Sequence, residues 1–318
     1  MKAAVLHAVG ETPRFEEFAS PVPGEGEELV SVLAAPLNAI DRALAAGSHY
    51  YRPDRLPAVV GVIGAGRLPD GRRVLFGSGS GTMAELAVVA PEGTFPIPDG
   101  LDEALAAAAW NPGLSAWLTL AERVRLEPGQ SVLVLGATGV TGRVAVQAAR
   151  RLGAARVVAA GRSERALEEV LELGADAAIR LDQPDEALGA AFAAEAGERG
   201  YDVVVDYLWG RPTEVLLGAL TRHDLEPRSS RTRIVQAGDV AGSHVSVPAT
   251  VLRSAGVEIL GAGTGAMPPR EVIVRTLGEV LALLATGELR VDFDRVPLSR
   301  VEEVWGRDQR GRRPVFVP

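Results

Sequence analysis

The chain contains no cysteine, which excludes disulfides, thiolate catalysis and any zinc site built on cysteine ligands. Lysine is almost as scarce: Lys2 is the only one, and the other basic residues are arginines. A Walker-type phosphate loop and a Tyr-x-x-x-Lys proton relay each need a lysine that these segments lack, and Schiff-base chemistry is not expected of a chain with one lysine. Long apolar runs are missing too. The longest are of strand length or are broken by charges, so no transmembrane helix and no membrane partner are expected. The first ten residues, Met1 to Gly10, carry one charge and a short apolar run. They read as a first strand and not as a signal segment, and a cytoplasmic protein is expected. The net charge of −8, with no block of like charge, argues against nucleic acid as a partner.

What is present is a strand, a glycine turn and a helix in succession. Ser131 to Leu135 is a five-residue run that reads as a buried strand. It breaks at Gly136-Ala137-Thr138-Gly139-Val140-Thr141-Gly142 and opens into a helix with apolar Val140, Val144, Ala148 and Leu152 four residues apart. Arg150, Arg151 and Gly153 close that helix. This order builds a pyrophosphate site, because glycine lets the backbone approach the ligand and a helix N-terminus offers unpaired N–H groups to negative charge. The spacing G-x-x-G-x-x-G is weak evidence by itself, and the flanking strand and helix supply the context it needs.

A chain of 318 residues can form two domains with full cores. Residues 1–108 hold short strand-like runs among prolines and glycines and read as a mixed-β domain. Pro91 to Gly100 reads as a connecting segment. Residues 109–262 alternate strands and helices, with strands at Val132–Leu135, Arg156–Ala160, Ala177–Ile179, Val203–Asp206, Arg233–Gln236 and Val257–Leu260. That rhythm predicts an α/β fold, a doubly wound parallel Rossmann sheet. The polar stretch Arg222 to Arg231 reads as a mobile loop. Residues 263–318 hold a helix, Glu271 to Ala285, and a final strand pair near Arg295–Leu298 and Pro314–Val317. This tail is expected to complete the first domain, so that the Rossmann domain is inserted within it.

The second strand of the Rossmann region ends in Gly161-Arg162-Ser163, about 20 residues past the glycine turn, where an NAD-binding fold places an acid on the ribose hydroxyl. No acid stands there. Arg162 is suited to pair with a 2′-phosphate, Ser163 to donate to it, and Arg165 follows closely, which favours NADPH over NADH. The other reading of these residues is a solvated helix start. Two more strand ends are expected at the ligand crevice. One is Asp206-Tyr-Leu208-Trp209-Gly210, with Leu208 toward the cofactor and Trp209 as core or interface. The other is Gln236-Ala-Gly238-Asp239, where Gly238 either admits the nicotinamide or simply forms a turn.

These residues resemble the zinc-free quinone oxidoreductase branch of the medium-chain dehydrogenase/reductase superfamily over almost the whole chain. The resemblance begins at Met1-Lys-Ala and continues through Pro36-Leu-Asn38-Ala-Ile-Asp41, similar to the family's Asn-x-x-Asp segment, Ile97-Pro-Asp-Gly-Leu101 and Gly113-Leu-Ser-Ala-Trp117. It runs on through the glycine turn and Leu173-Gly-Ala-Asp176 to Val296-Pro-Leu-Ser299-Arg-Val-Glu-Glu-Val-Trp305. It implies a GroES-like catalytic domain, a Rossmann domain, an NADPH-filled cleft, a small electrophilic substrate such as a quinone or enone, no metal, and a homodimer. Val60-Gly-Val-Ile-Gly64 departs from the family's Gly-x-Glu segment, the stretch from Gly64 to Val74 is short, and the loop from Arg222 to Arg231 is long. These departures bear on substrate class more than on fold.

By the same resemblance Asn38 lies beside nicotinamide and substrate, either orienting the cofactor or binding the substrate oxygen. A strand-end turn asparagine is the alternative, and Asp41 is expected to fix that loop. Tyr50 and Tyr51 rank equally as hydrogen-bond donors or lid aromatics at the substrate mouth. His49 reads as a surface histidine, and Asn111 as a cleft residue or a helix cap. Three functions remain open: a reductase of quinones or α,β-unsaturated carbonyls, a tailoring enoyl reductase or dehydrogenase for one biosynthetic intermediate, and an NADPH-binding protein without turnover.

Overall fold

The computed structural model describes residues 1–50, 55–222, 231–309 and 311–318. The chain divides into two compact units, Met1–Asn111 with Leu277–Pro318, and Pro112–Thr276.

The first unit opens with β1 (Lys2–Leu6), β2 (Arg14–Glu17), β3 (Glu28–Pro36), α1 (Ala39–Ala46), β4 (Ala58–Val59), β5 (Ile63–Arg67), β6 (Arg73–Gly77), β7 (Leu86–Val89), β8 (Thr94–Pro96) and the start of α2 (Glu103–Trp117), a helix that continues past Asn111 into the second unit. β1 lies between β2 and β4 in a small antiparallel sheet. The nine-residue β3 organises the larger sheet. Its first half pairs with β7 and its middle with β5, with a register shift between Val32 and Ala34. Such a bulge bends a strand and lets its two ends serve different partners.

Pro91 to Gly100 is not a simple connector. It supplies a 3₁₀ turn, Pro91–Gly93, and then β8, which pairs with β6 at the edge of the larger sheet. Proline donates no N–H and is tolerated in an edge strand, which is why Pro96 obscures a three-residue strand in the sequence. Asn111 does not cap a helix. It lies half-buried inside α2, which runs on through Pro112 and passes into a π-helical turn, Leu118–Arg123.

The second unit carries β9 (Ser131–Leu135), α3 (Val140–Arg151), β10 (Arg156–Gly161), α4 (Glu164–Glu172), β11 (Ala177–Arg180), α5 (Asp185–Ala196), β12 (Val203–Asp206), α6 (Arg211–Leu220), β13 (Thr232–Gln236), α7 (Ala249–Ser254) and β14 (Val257–Gly261). Its six strands are all parallel, in the order β11-β10-β9-β12-β13-β14. This is the doubly wound Rossmann order, and the strand sequence reverses between β9 and β12, where such sheets bind ligands. The near-continuous Val/Leu/Ile runs are what a sheet covered on both faces demands. Leu133, Leu135, Val158, Ile179, Phe192, Val204, Leu216 and Ile234 form its core. Of the stretch expected to be a mobile loop, residues 223–230 lie outside the described residues.

The chain then returns through α8 (Arg270–Ala285), β15 (Phe293–Pro297), α9 (Val301–Trp305) and β16 (Arg313–Val317). β15 and β16 pair in parallel, and β16 pairs antiparallel with the end of β3, so the first unit's sheet reads β15-β16-β3-β5-β6-β8. Leu6, Val30, Leu37, Phe76, Met83, Trp305 and Phe316 pack as its core. The mixed-β unit is thus made from both ends of the chain, with the Rossmann unit inserted between them. No helix among the described residues is long and apolar enough to cross a membrane.

Candidate active site

The glycine turn leaves β9 at Gly136, whose φ of +84° lies in the left-handed region. The N–H groups of Gly136 and Ala137 both donate to the Ala160 carbonyl at 3.0 Å, which ties the turn to β10. Gly139 is the N-cap of α3, and no side chain caps that end. A Cβ at Gly142 would stand 2.2 Å from the Gly136 carbonyl oxygen, so only glycine lets α3 start this close to the strand. The first turn of the helix therefore presents N–H groups without intrahelical acceptors. Backbone donors and the helix dipole suit a pyrophosphate and need no lysine. Val140 and Ala137 are buried beneath the turn, while Thr138 and Thr141 are half-buried.

Arg143 was not among the residues singled out by sequence. It is buried on α3, its Nε donates to the Thr138 carbonyl at 3.2 Å, and its Nη2 pairs with Glu169 of α4 at 2.5 Å. The guanidinium holds the Glu169 carboxyl below its usual range. One buried cation thus braces the turn against the next helix. The only sequence signal was an arginine within the apolar start of α3.

At the end of β10, Gly161 abuts Thr138, where a Cβ would lie 2.4 Å from the threonine methyl. Arg162 and Ser163 are exposed just beyond it. Ser163 is the N-cap of α4, its Oγ accepting from the Ala166 N–H at 3.4 Å, which leaves its own proton to donate. Arg165 turns along α4 to Glu169, at 3.6 Å. Asp182 is held by Arg180 at 2.9 Å, and hydrogen bonding to Arg180 keeps its carboxyl below the ordinary range, with a smaller effect from the Arg162 charge.

The end of β12 is organised by Asp206, which sequence reading placed at a strand end facing the crevice without assigning it a role. Its buried carboxylate accepts from the Leu208 and Trp209 N–H groups, each at 2.8 Å, and from the Thr213 hydroxyl at 2.6 Å. Burial still pushes this carboxyl upward. The bonds hold Trp209 at φ +57°, unusual for a residue other than glycine. They also bring Leu208 against Gly136, within 3.1 Å of where its Cβ would stand. Gly238, after β13, is close to its own chain: a Cβ there would lie 2.7 Å from the Tyr207 carbonyl oxygen. That contact by itself calls for glycine at 238.

In the first unit, Asn38 is the N-cap of α1 and is buried. Its N–H donates to the Asp41 carboxylate at 2.7 Å, and the other Asp41 oxygen accepts from the Val62 N–H at 3.0 Å. Asp41 therefore fixes the β3–α1 junction and the strand-side loop together. Burial raises its carboxyl to about 6 despite these bonds. The Asn38 amide donates to the Pro36 carbonyl at 3.2 Å and accepts from Arg313 at 2.7 Å. Tyr50 is exposed, with its ring 4.0 Å from that of His49. Tyr51 lies outside the described residues. Among the described residues, no group of three or more His, Asp or Glu side chains is placed to hold a metal ion.

A family model described as zinc-binding dehydrogenase matches residues 140–223. The chain is 32% identical over 228 residues to a "Probable NADPH-dependent quinone reductase" of Emericella nidulans, covering 69% of this chain and 62% of that protein. It is 30% identical over 282 residues to an erythronolide synthase of Saccharopolyspora erythraea, covering 87% of this chain and 7% of that one. The chain thus spans less than two thirds of either curated relative. The crystal structures of the quinone oxidoreductase from Thermus thermophilus and its complex with NADPH match all of this chain and of that one, with a TM-score of 0.80 and 28% identity. This chain belongs to the medium-chain dehydrogenase/reductase superfamily, in its quinone oxidoreductase-like branch. Within that superfamily the six-stranded sheet is the Rossmann half of the fold and the mixed sheet the catalytic half. The zinc of the family model's description has no cysteine ligands to bind here.

Proposed function

We propose that the protein is an NADPH-dependent oxidoreductase that reduces a quinone or an α,β-unsaturated carbonyl compound. The observation that carries this reading is the uncapped start of α3, reached through a turn closed by Gly142, at the point where the sheet order reverses. The backbone N–H groups of the turn hold the pyrophosphate, and the Arg162 guanidinium and Ser163 hydroxyl bind the 2′-phosphate. NADPH, when bound, supplies the hydride. Asn38 offers an amide N–H to the substrate oxygen as negative charge grows there, and a single such donor is worth about 10²–10³ in rate. Asp41 keeps Asn38 in place by accepting its backbone N–H. The exposed phenol of Tyr50 is a second candidate donor. No resident general acid is required, since solvent can supply the final proton.

The 30% identity to an erythronolide synthase across 87% of the chain supports a second reading, an enoyl reductase or dehydrogenase devoted to one biosynthetic intermediate. Steady-state NADPH oxidation against a panel of quinones and enones separates the two. The first reading expects rapid turnover of simple quinones or enones and a loss of about 10²-fold or more in kcat for Asn38→Ala, with NADPH binding unchanged. Uniformly slow turnover moves the assignment to the second. Tight NADPH binding with no oxidation of any acceptor contradicts both.

A further inference from the structure

Asn38 is held from the far end of the chain. β16 pairs antiparallel with the end of β3, Val315 opposite Pro36 and Phe316 opposite Ala35, and the Leu37 N–H donates to the Pro314 carbonyl at 2.9 Å. Continuing that register by two residues places Arg313 across from Asn38. There the buried Arg313 Nη1 donates to the Leu37 carbonyl at 3.2 Å and to the Asn38 Oδ1 at 2.7 Å. On its other side the Asn38 Nδ2 donates to the Pro36 carbonyl at 3.2 Å.

The two partners dictate which way the amide faces. A guanidinium has donors and no acceptor, so the Asn38 atom that meets it must be the oxygen. A carbonyl accepts and cannot donate, so the atom that meets Pro36 must be the nitrogen. Each contact independently selects the same orientation, and reversing the amide would break both. Burial lowers the Arg313 guanidinium to about 10, so near neutral pH it remains a cation and keeps its donors.

We propose that Arg313 is the positioning residue for Asn38, engaging its carbonyl oxygen so that the amide is held in one orientation, with an N–H as the group it turns to a reacting partner. This rests on the reading of Asn38 given above. It makes that amide a donor in either of the roles open to it, orienting the cofactor or binding the substrate oxygen. It also makes the β16 strand, 275 residues away in sequence, part of the chemistry through one hydrogen bond.

The test pairs a cofactor-free readout with kinetics on the full chain. The Asn38 side-chain NH₂ resonances are identified by their loss in Asn38→Ala, then followed in Arg313→Met and in Arg313→Lys, which keeps a charged donor should the methionine variant fold poorly. The proposal expects the pair to shift or broaden in Arg313→Met and to move less in Arg313→Lys. With NADPH and a quinone, Arg313→Met is expected to lower kcat by about 10- to 100-fold, as loss of orientation does, with KM for NADPH within about threefold. In the Asn38→Ala background the same substitution should change kcat little, because interacting residues do not add. An undisturbed amide pair overturns the proposal, and so does an equal loss of kcat in both backgrounds. Full turnover in Asn38→Ala overturns instead the assignment of Asn38 on which the proposal stands.

Discussion

Gly142 and Thr213 show how single atoms hold the nucleotide unit's loops. With the Gly136 carbonyl oxygen 2.2 Å from the would-be Cβ, Gly142→Ala must push α3 away from β9. We expect a stability loss of about 1–3 kcal/mol, as for other overpacked sites, with weakened NADPH binding. Denaturant unfolding and a cofactor titration check both, and unchanged values would mean that the turn adapts freely. Thr213→Val removes a hydroxyl that donates to the buried Asp206 at 2.6 Å. Leaving that carboxylate short of a partner should cost about 1–3 kcal/mol, and a wild-type unfolding midpoint would show that the bond contributes nothing. Arg162 could be singled out as a candidate because an expected acid was missing from a position that the fold itself defines, and the structure places it exposed just past β10. Arg143 could not, nor could the role of Asp206. Arg143 acts through Glu169, 26 residues away, and Asp206 through its own turn and Thr213. The Arg143 partner comes near only once α4 docks beside α3, and the Asp206 bonds, though local, depend on a turn conformation that no residue pattern announces.

At the scale of elements, α1 carries the clearest pH signature. Asp41, in its first turn, has its carboxyl raised by burial from 3.8 to about 6. Between those values the folded protein keeps a proton that the unfolded chain gives up, so stability falls as pH rises through about 4 to 6. Below that window both states are protonated, and above it both are ionised. The shift corresponds to roughly 2–3 kcal/mol between the two ends. Unfolding free energies at about pH 4.5, 5.5 and 7 should therefore decline more steeply in the wild type than in Asp41→Asn, and parallel slopes would show that Asp41 titrates normally. The elements themselves were unequally visible. β9 to β14 stood out because a sheet covered on both faces needs uninterrupted apolar runs, and the intervening helices carry their own periodicity. β8 and the full length of α2 did not, since Pro96 and Pro112 sit where local rules put a break. An edge position and continued helical pairing around the proline override those rules.

For the whole molecule, the order of strands follows from a chain that leaves one sheet, builds another and returns. The return was readable as a change from β-α alternation back to strands. What no local pattern showed was that β16 lands on β3 and carries Arg313 to Asn38, because strand register is set by packing across the whole unit. The same scale holds the central claim, that this fold selects NADPH through Gly161-Arg162-Ser163. Calorimetric titration of the full chain with NADPH and with NADH, repeated on Arg162→Ala, tests it most directly. A charge-assisted bond to the 2′-phosphate predicts NADPH binding at least about tenfold tighter than NADH in the wild type, with most of that preference gone in the variant. Equal affinity for the two nucleotides in the wild type would contradict it.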